Sequence, residues 1–195
     1  LAVNALAPTL LTDRLAPELE RGRGRVVHVT GGHPSAALDM TQFQPDRGSV
    51  GLASYTQSKR AMEAIALEHH QTLSPRSIFL NVVYPGPANT AMAHAVNAKM
   101  LPVSLRPAFP LFRLAIRRSS PDKASRSSVY AATSPDLAQA SGRYFDPKCR
   151  PQPFHRSILG SDVRRQLVAW VHDVSPALST LPKLTNEEDF SAGRE

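Results

Sequence analysis

The chain has 195 residues, which is enough for one domain with a hydrophobic core and short for two. Its 42% hydrophobic and 20% charged residues are the composition of a folded globular protein and exclude a disordered one. No apolar run approaches the roughly 20 residues of a membrane-spanning helix, and the N-terminus lacks the basic leader of a signal peptide. The formal net charge of +7 comes mostly from scattered arginines without interleaved aromatic residues, so we expect no nucleic-acid partner.

The chain contains one cysteine, Cys149, so it cannot form an internal disulfide. This cysteine usage favours a reducing compartment, and we expect a cytoplasmic protein. The histidines show no metal-binding spacing with a third ligand, so we predict no metal site. A Gly-x-Ser-x-Gly motif, the usual sign of a hydrolase, is absent from the sequence.

The first predicted element is a helix over residues 8–20, in which Leu11, Leu15 and Leu19 recur every four residues. This spacing predicts the apolar stripe of an amphipathic helix. Pro17 predicts a kink or an early end just before it, because proline removes a backbone hydrogen bond inside a helix.

A strand, a helix and a second strand follow. The β-branched run over residues 25–30 predicts a buried strand, and residues 33–53 have no clear period and predict a long loop or an insertion. The next helix covers residues 54–71 and opens with a capping box that ends at Gln57. An apolar strand over residues 77–83 completes the unit. This order predicts a right-handed crossover with a parallel sheet, and therefore an α/β fold.

The rest of the chain is less regular. Residues 91–100 are compatible with a helix, and further helices are predicted over residues 121–133 and 161–173. Residues 101–118 mix Leu, Phe and Ile with Arg. Three interpretations of this segment stay open: a membrane-surface segment, a lid over an apolar site, or a packed loop. Its three prolines favour the last two.

The strongest chemical signal is Tyr55-Thr-Gln-Ser-Lys59, near the start of a helix that follows a parallel strand. Residues i and i+4 share one face of a helix. A phenol with a pKa of about 10 is a poor acid or base at neutral pH. A lysine ammonium one turn away favours the phenolate and lowers that pKa, so that Tyr55 can exchange a proton with a carbonyl or an alcohol. Alone, this pattern is more often a surface pair.

Two other motifs give the pair a context. The second strand is followed by Pro85-Gly86, with Ala88 and Thr90 shortly after, and Asn4 opens the first helix. Ligands in parallel sheets bind at the carboxyl ends of the strands. A glycine there lets the backbone approach a ligand closely.

Together these motifs resemble the short-chain dehydrogenase/reductase family over about residues 2–92, and residues 129–134 and 141–145 resemble the end of its retinol-dehydrogenase-like branch. The resemblance implies an oxidoreductase that transfers hydride between NAD or NADP and a small alcohol or carbonyl substrate. It also implies that Tyr55 is the catalytic acid/base. Lys59 would lower the pKa of Tyr55 and bind the nicotinamide ribose.

The same resemblance assigns Asn4 to a water-mediated proton relay that ends at the lysine. It assigns Pro85, Gly86, Ala88 and Thr90 to the nicotinamide end of the cofactor, and the residues after Thr90 to a variable substrate lid. Family members often pair through their long helices, which is compatible with a homo-oligomer.

Two departures from the family pattern stand out. The position of the catalytic serine is Gly31 here, so Thr30 or Ser35 would have to supply the hydroxyl. The Gly-rich turn that holds the dinucleotide phosphates does not occur. The simplest interpretation is an N-terminally truncated chain with a partial Rossmann-like, doubly wound parallel sheet that lacks its first strands. We expect one domain over residues 1–175 and a flexible tail over 176–195. The alternative is a non-catalytic remnant or binding protein of the same family.

Overall fold

The computed structural model describes residues 1–31, 36–43, 52–100 and 103–174. Helices and strands alternate over the first part of the chain, up to Val83, as the sequence pattern predicts. The strands are β1 (Arg25–Val29), β2 (Phe79–Val83), β3 (Tyr144–Phe145) and β4 (Pro151–Gln152). The helices are α1 (Ala7–Arg21), α2 (Leu52–Leu73), α3 (Ala91–Ala95), α4 (Phe109–Arg118), α5 (Pro121–Thr133) and α6 (Ser161–Val174).

The strands form one sheet in the order β1-β2-β3-β4. The first three strands are parallel, and β4 is antiparallel to β3. Arg25 pairs with Phe79 and Val29 with Val83, so β1 and β2 reach their carboxyl ends side by side. The chain passes from β1 to β2 through α2, because parallel strands need a long crossover connection. The prediction of an α/β fold with a parallel sheet is confirmed.

Helices cover both faces of the sheet. α1, α2 and α6 enclose one core, which includes Ile65, Leu80 and Val82. α5 helps to enclose the second core, around Val83 and Phe145. Neighbouring residues of β2 lie in different cores because side chains alternate across a strand. Every residue of β2 is buried, whereas β1 is mostly half-buried. With helices on both of its faces, the sheet is a partial Rossmann-like sheet, as predicted.

The predicted first helix is confirmed as α1, but its early end before Pro17 and its buried leucine stripe are wrong, and a kink at the proline stays a prediction. α1 continues through Pro17, which costs one backbone hydrogen bond but lies on the exposed side of the helix. Leu11 and Leu15 are 58% and 43% exposed, so they do not form the buried face. That face consists of Thr9, Thr12 and Ala16. These three buried residues all precede Pro17 and hold that part of α1 against the rest of the protein.

The predicted second helix is confirmed, but its start differs. α2 already includes Leu52, so Ser54 lies inside the helix and does not cap it. The Gln57 side chain instead binds the preceding loop: it donates to the Ala37 carbonyl oxygen and accepts from the Asp39 amide, both at 2.9 Å. A glutamine that looks like a capping residue therefore fastens α2 to the segment before it.

The later elements follow the predictions closely. α5 has the predicted bounds, and α6 is one residue longer than predicted. The predicted helix over 91–100 is only partly realised, as α3 and a short 3₁₀ turn at Ala98–Met100. β4 was not predicted, because a two-residue strand carries no periodic signal.

The described residues do not reach every predicted segment. The tail over 176–195 and most of the loop over 33–53 lie outside them, so these predictions stay predictions. Within the described ranges, no helix has both the length and the apolar character needed to cross a membrane.

Candidate active site

Tyr55 and Lys59 lie one turn apart near the start of α2, as the sequence predicts. The Lys59 ammonium nitrogen lies 5.9 Å from the centre of the Tyr55 ring. It also donates a hydrogen bond to the Val29 carbonyl oxygen at 2.9 Å. Lys59 therefore connects this face of α2 to the carboxyl end of β1.

The two side chains are partly removed from water. Burial raises the pKa of the Tyr55 phenol above its ordinary value, and the nearby Tyr84 phenol adds to this effect. Burial lowers the pKa of the Lys59 ammonium, and the Glu63 carboxylate opposes that shift. The net direction for Tyr55 is opposite to the sequence expectation. Desolvation of the phenol is the largest cause of this direction.

Gly31 faces the Tyr55 hydroxyl directly. A Cβ atom at Gly31 would lie 2.6 Å from the Tyr55 hydroxyl oxygen, which is closer than real Cβ contacts allow. The phenol therefore fills the space that a side chain at this position would occupy. A serine here would require Tyr55 to shift.

Thr30 does not offer its hydroxyl to Tyr55. It is buried, and its hydroxyl donates to the Glu63 carboxylate. Its amide donates to the Val83 carbonyl oxygen at 2.8 Å, which continues the pairing of β1 with β2. Ser35, the other hydroxyl considered, lies outside the described residues. Thr30 is thus a structural anchor for the residue next to Tyr55.

A buried polar network extends from Thr30 into α2. Glu63 accepts from Thr30 and pairs with Arg60, and both charged residues are buried. Arg60 also donates through Nε to the Ala36 carbonyl oxygen at 3.1 Å. Burial raises the pKa of Glu63, and Arg60 and Thr30 oppose this shift. The network ties the end of β1 and the loop at Ala36 to the helix that carries Tyr55.

This network was not predicted from the sequence. Its signal was present: Arg60 and Glu63 are three residues apart, a spacing that pairs opposite charges on a helix. They alternate with the buried residues Met62 and Ile65, so a charged pair within the apolar face of α2 could have been noticed. Charged residues are rarely buried unless paired.

Asn4 lies beside α2, but it contacts Ser58 and not the lysine. It sits in a π-helical turn, Ala2–Leu6, that leads into α1. Its amide donates to the Ser58 hydroxyl at 3.0 Å, and this hydroxyl donates to the Tyr55 carbonyl oxygen at 2.8 Å. Asn4 therefore supports the turn of α2 between Tyr55 and Lys59. Its role in a proton relay stays a prediction.

The Pro85-Gly86 loop leaves β2 at the same end of the sheet as Thr30 and Gly31. Gly86 has a φ of +75°, which glycine adopts without strain, and a Cβ atom there would lie 3.0 Å from Pro147. Thr90 caps α3: its hydroxyl oxygen accepts from the Ala93 amide at 3.3 Å. Pro85 and Ala88 are half-buried in the same loop. The structure thus places the Tyr55 pair and this loop at adjacent strand ends.

Among the described residues, no three His, Cys, Asp or Glu side chains form a cluster suited to a metal ion. The buried His28 lies in β1, and burial, followed by His69 and Lys59, lowers its pKa to about 4. This histidine is therefore neutral at physiological pH.

Comparison with known proteins identifies the family. The model of the short chain dehydrogenase family matches residues 1–101. Retinol dehydrogenase 13 of Homo sapiens is 29% identical over 147 residues, or 74% of this chain and 44% of that protein. Retinol dehydrogenase 14 of Mus musculus is 29% identical over 85% of this chain and 48% of that protein. The chain spans less than half the length of these two relatives.

A solved structure supports the same fold. A protein assigned as an NAD(P)-dependent gluconate 5-dehydrogenase from Beutenbergia cavernae, solved with NADP at low occupancy, is 22% identical to this chain. The two share a TM-score of 0.51 over 74% of this chain and 53% of that one. With the family model matching more than half of its residues, the chain belongs to the short-chain dehydrogenase family and is similar to its retinol dehydrogenase members.

Proposed function

We propose that this chain carries the proton-transfer site and the nicotinamide end of the cofactor site in an NAD(P)-dependent oxidoreductase that interconverts alcohols and carbonyls. One observation carries the proposal. Tyr55 and Lys59 lie on one face of α2, beside Gly31 and at the strand ends from which the Pro85-Gly86 loop departs. This is the edge of a parallel sheet where ligands bind.

The residues present fit one end of a dinucleotide. An ammonium has three N–H donors, and the contact with Val29 uses one of them, so Lys59 retains donors for ribose hydroxyls. Gly86 allows close approach of the backbone to a flat ring. Pro85, Ala88 and Thr90 belong to the same loop. A Gly-x-Gly-x-x-Gly turn for the phosphates is not in this sequence, so the proposal covers the nicotinamide end alone.

The bound nicotinamide would supply or accept the hydride. Tyr55 would supply the proton to the substrate oxygen during reduction and take it back during oxidation. Its high pKa keeps the phenol protonated at rest, which suits donation to a carbonyl. Lys59 would stabilise the phenolate that remains, and Asn4 would hold the α2 turn between them through Ser58.

Three further parts of the proposal follow from this function. The substrate is a small alcohol or carbonyl compound, because the relatives are oxidoreductases named for such substrates. The protein acts in the cytoplasm, which contains NAD(P) cofactors and whose reducing conditions keep a thiol such as that of Cys149 free. A homo-oligomer formed through the long helices, as is common in the family, is compatible with this function.

Replacement of Tyr55 tests the proposal. Tyr55→Phe removes the hydroxyl and keeps the ring. Compared with the wild-type protein from its natural source, the variant should show carbonyl-dependent NAD(P)H oxidation that is lower by roughly 100-fold or more. Tyr84→Phe, a second half-buried tyrosine nearby, is the matched control and should retain activity within a few-fold. Equal activity of Tyr55→Phe and wild type would exclude Tyr55 as the acid/base.

Gly31 favours a second candidate, a non-catalytic family member that binds a ligand. The usual side chain is missing at this position, and the Tyr55 hydroxyl occupies its space. Without a donor beside Tyr55, the substrate oxygen loses an oriented hydrogen bond, which typically costs orders of magnitude in rate. Sustained NAD(P)H oxidation with any carbonyl compound would exclude this candidate.

A further inference from the structure

The segment that ends with α4 has an unusual charge distribution. The sequence contains no acidic residue between Glu68 and Asp122, and α4 itself carries Arg113, Arg117 and Arg118. All three arginines are exposed, and no carboxylate pairs with them in the part of the chain that the structure describes. This surface therefore attracts anions and repels a second copy of itself.

The same helix exposes large apolar side chains. Leu111 and Leu114 are 70% and 43% exposed, and Phe112 beside them is 37% exposed. Ile116, the buried residue of α4, lies on the opposite side of the helix from the two leucines, as the helical period requires. α4 therefore packs against the rest of the protein through the side that carries Ile116. The leucines on the other side of the helix face solvent.

Arginines and leucines meet in one groove. A surface groove of about 500 Å³ is lined by Pro110, Arg113, Leu114 and Arg117. Arg113 and Arg117 are one turn apart, so both guanidinium groups can reach a single phosphate. Leu114 lies on the same wall, so an apolar chain attached to that phosphate would meet an apolar surface.

We propose that α4 is the docking surface of this protein for an anionic membrane. A bilayer interface supplies the two partners that this helix lacks, negatively charged phosphates for the arginines and an apolar layer for the leucines. Isologous contact between two copies would bring arginines together with no acid to separate them, which disfavours a dimer through α4. Of the interpretations that the sequence left open for residues 101–118, this proposal selects the membrane-surface segment. It does not depend on the proposed catalytic function.

Co-sedimentation with lipid vesicles tests the proposal on the full chain. The protein should pellet with vesicles made of equal amounts of phosphatidylglycerol and phosphatidylcholine, and hardly at all with pure phosphatidylcholine. Raising the salt concentration should weaken binding, because salt screens the arginines from the headgroups. Equal binding to both vesicles, or no binding to either, would overturn the proposal.

Variants of α4 locate the contact. Arg113→Gln with Arg117→Gln should lower vesicle affinity by roughly 25-fold, at about fivefold per arginine, and Leu111→Asn by roughly tenfold. The matched controls are Leu11→Asn, which changes an exposed leucine of α1, and Arg126→Gln, which changes an exposed arginine of α5; both should bind as wild type.

Circular dichroism is used to check that each variant is folded. If the α4 variants and the controls bind alike, α4 is not the docking surface. If Leu111→Asn instead converts a lipid-free dimer to a monomer in analytical ultracentrifugation, a second copy covers the helix and the proposal fails.

Discussion

Two residues one turn apart on α2 bind the end of β1 in different ways. Lys59 donates to the Val29 carbonyl oxygen, and Glu63 accepts from the Thr30 hydroxyl. Together they hold Val29 and Thr30, the two residues that precede Gly31. The position of the residue facing Tyr55 therefore depends on the buried Glu63 carboxylate as well as on Lys59.

Removal of Glu63 tests the structural importance of this network. Glu63→Leu leaves the buried Arg60 guanidinium without its carboxylate, so the free energy of unfolding should fall by about 3 kcal/mol. Glu18→Leu is the matched control, because Glu18 pairs with Arg21 at the same spacing on an exposed surface and should change stability by less than about 1 kcal/mol. Urea unfolding measures both, and equal effects would contradict a special role for the buried pair.

The elements show which sequence signals were decisive. The β-branched runs that became β1 and β2 and the bounds of α5 could be predicted, because composition and flanking turn residues report local structure. The buried face of α1 could not, because Thr9, Thr12 and Ala16 are small side chains that allow close helix packing and carry no apolar period. Tertiary packing, and not the leucine repeat, selected that face.

Pro17 should lower the stability of α1. It lies inside the helix on the exposed side, so Pro17→Ala restores a backbone hydrogen bond and should raise the free energy of unfolding by about 1–3 kcal/mol. Pro121→Ala is the control: Pro121 is the first residue of α5 and follows the extended residue Ser120, so its missing N–H has no helical partner to lose and the change should be nearly neutral. Thermal unfolding compares the two. A Pro17→Ala protein no more stable than Pro121→Ala would mean that α1 is already bent to suit the proline.

At the scale of the whole molecule, the sequence predicted the arrangement better than the site. Strand, helix and strand in order were enough to place Tyr55 near the Pro85-Gly86 loop, because parallel strands end at one edge. The sequence could not reveal that the Thr30 hydroxyl is engaged by Glu63, since 33 residues separate them. Nor could it show that the Tyr55 hydroxyl lies against Gly31.

The buried His28 should make the stability of the whole chain depend on pH. Its pKa falls from 6.5 to about 4 on folding, because burial disfavours the charged imidazole. Between these values the unfolded chain binds more protons, so stability decreases as pH falls from 6.5 to 4, by up to about 3 kcal/mol. His28→Val should remove this part of the pH dependence of the free energy of unfolding, which is measured by urea unfolding at several pH values. A variant with the same slope as wild type would show that folding does not lower the pKa of His28.

The central claim is that Tyr55 and Lys59 form the proton-transfer site of a nicotinamide-dependent oxidoreductase. The most direct measurement is the oxidation of NADH and NADPH by the protein purified from its natural source, with a series of aldehydes and ketones. The account predicts loss of the reduced nicotinamide only when a carbonyl compound is present, and its abolition by Tyr55→Phe. No oxidation with either cofactor across the series would contradict the claim and leave the non-catalytic family member as the explanation.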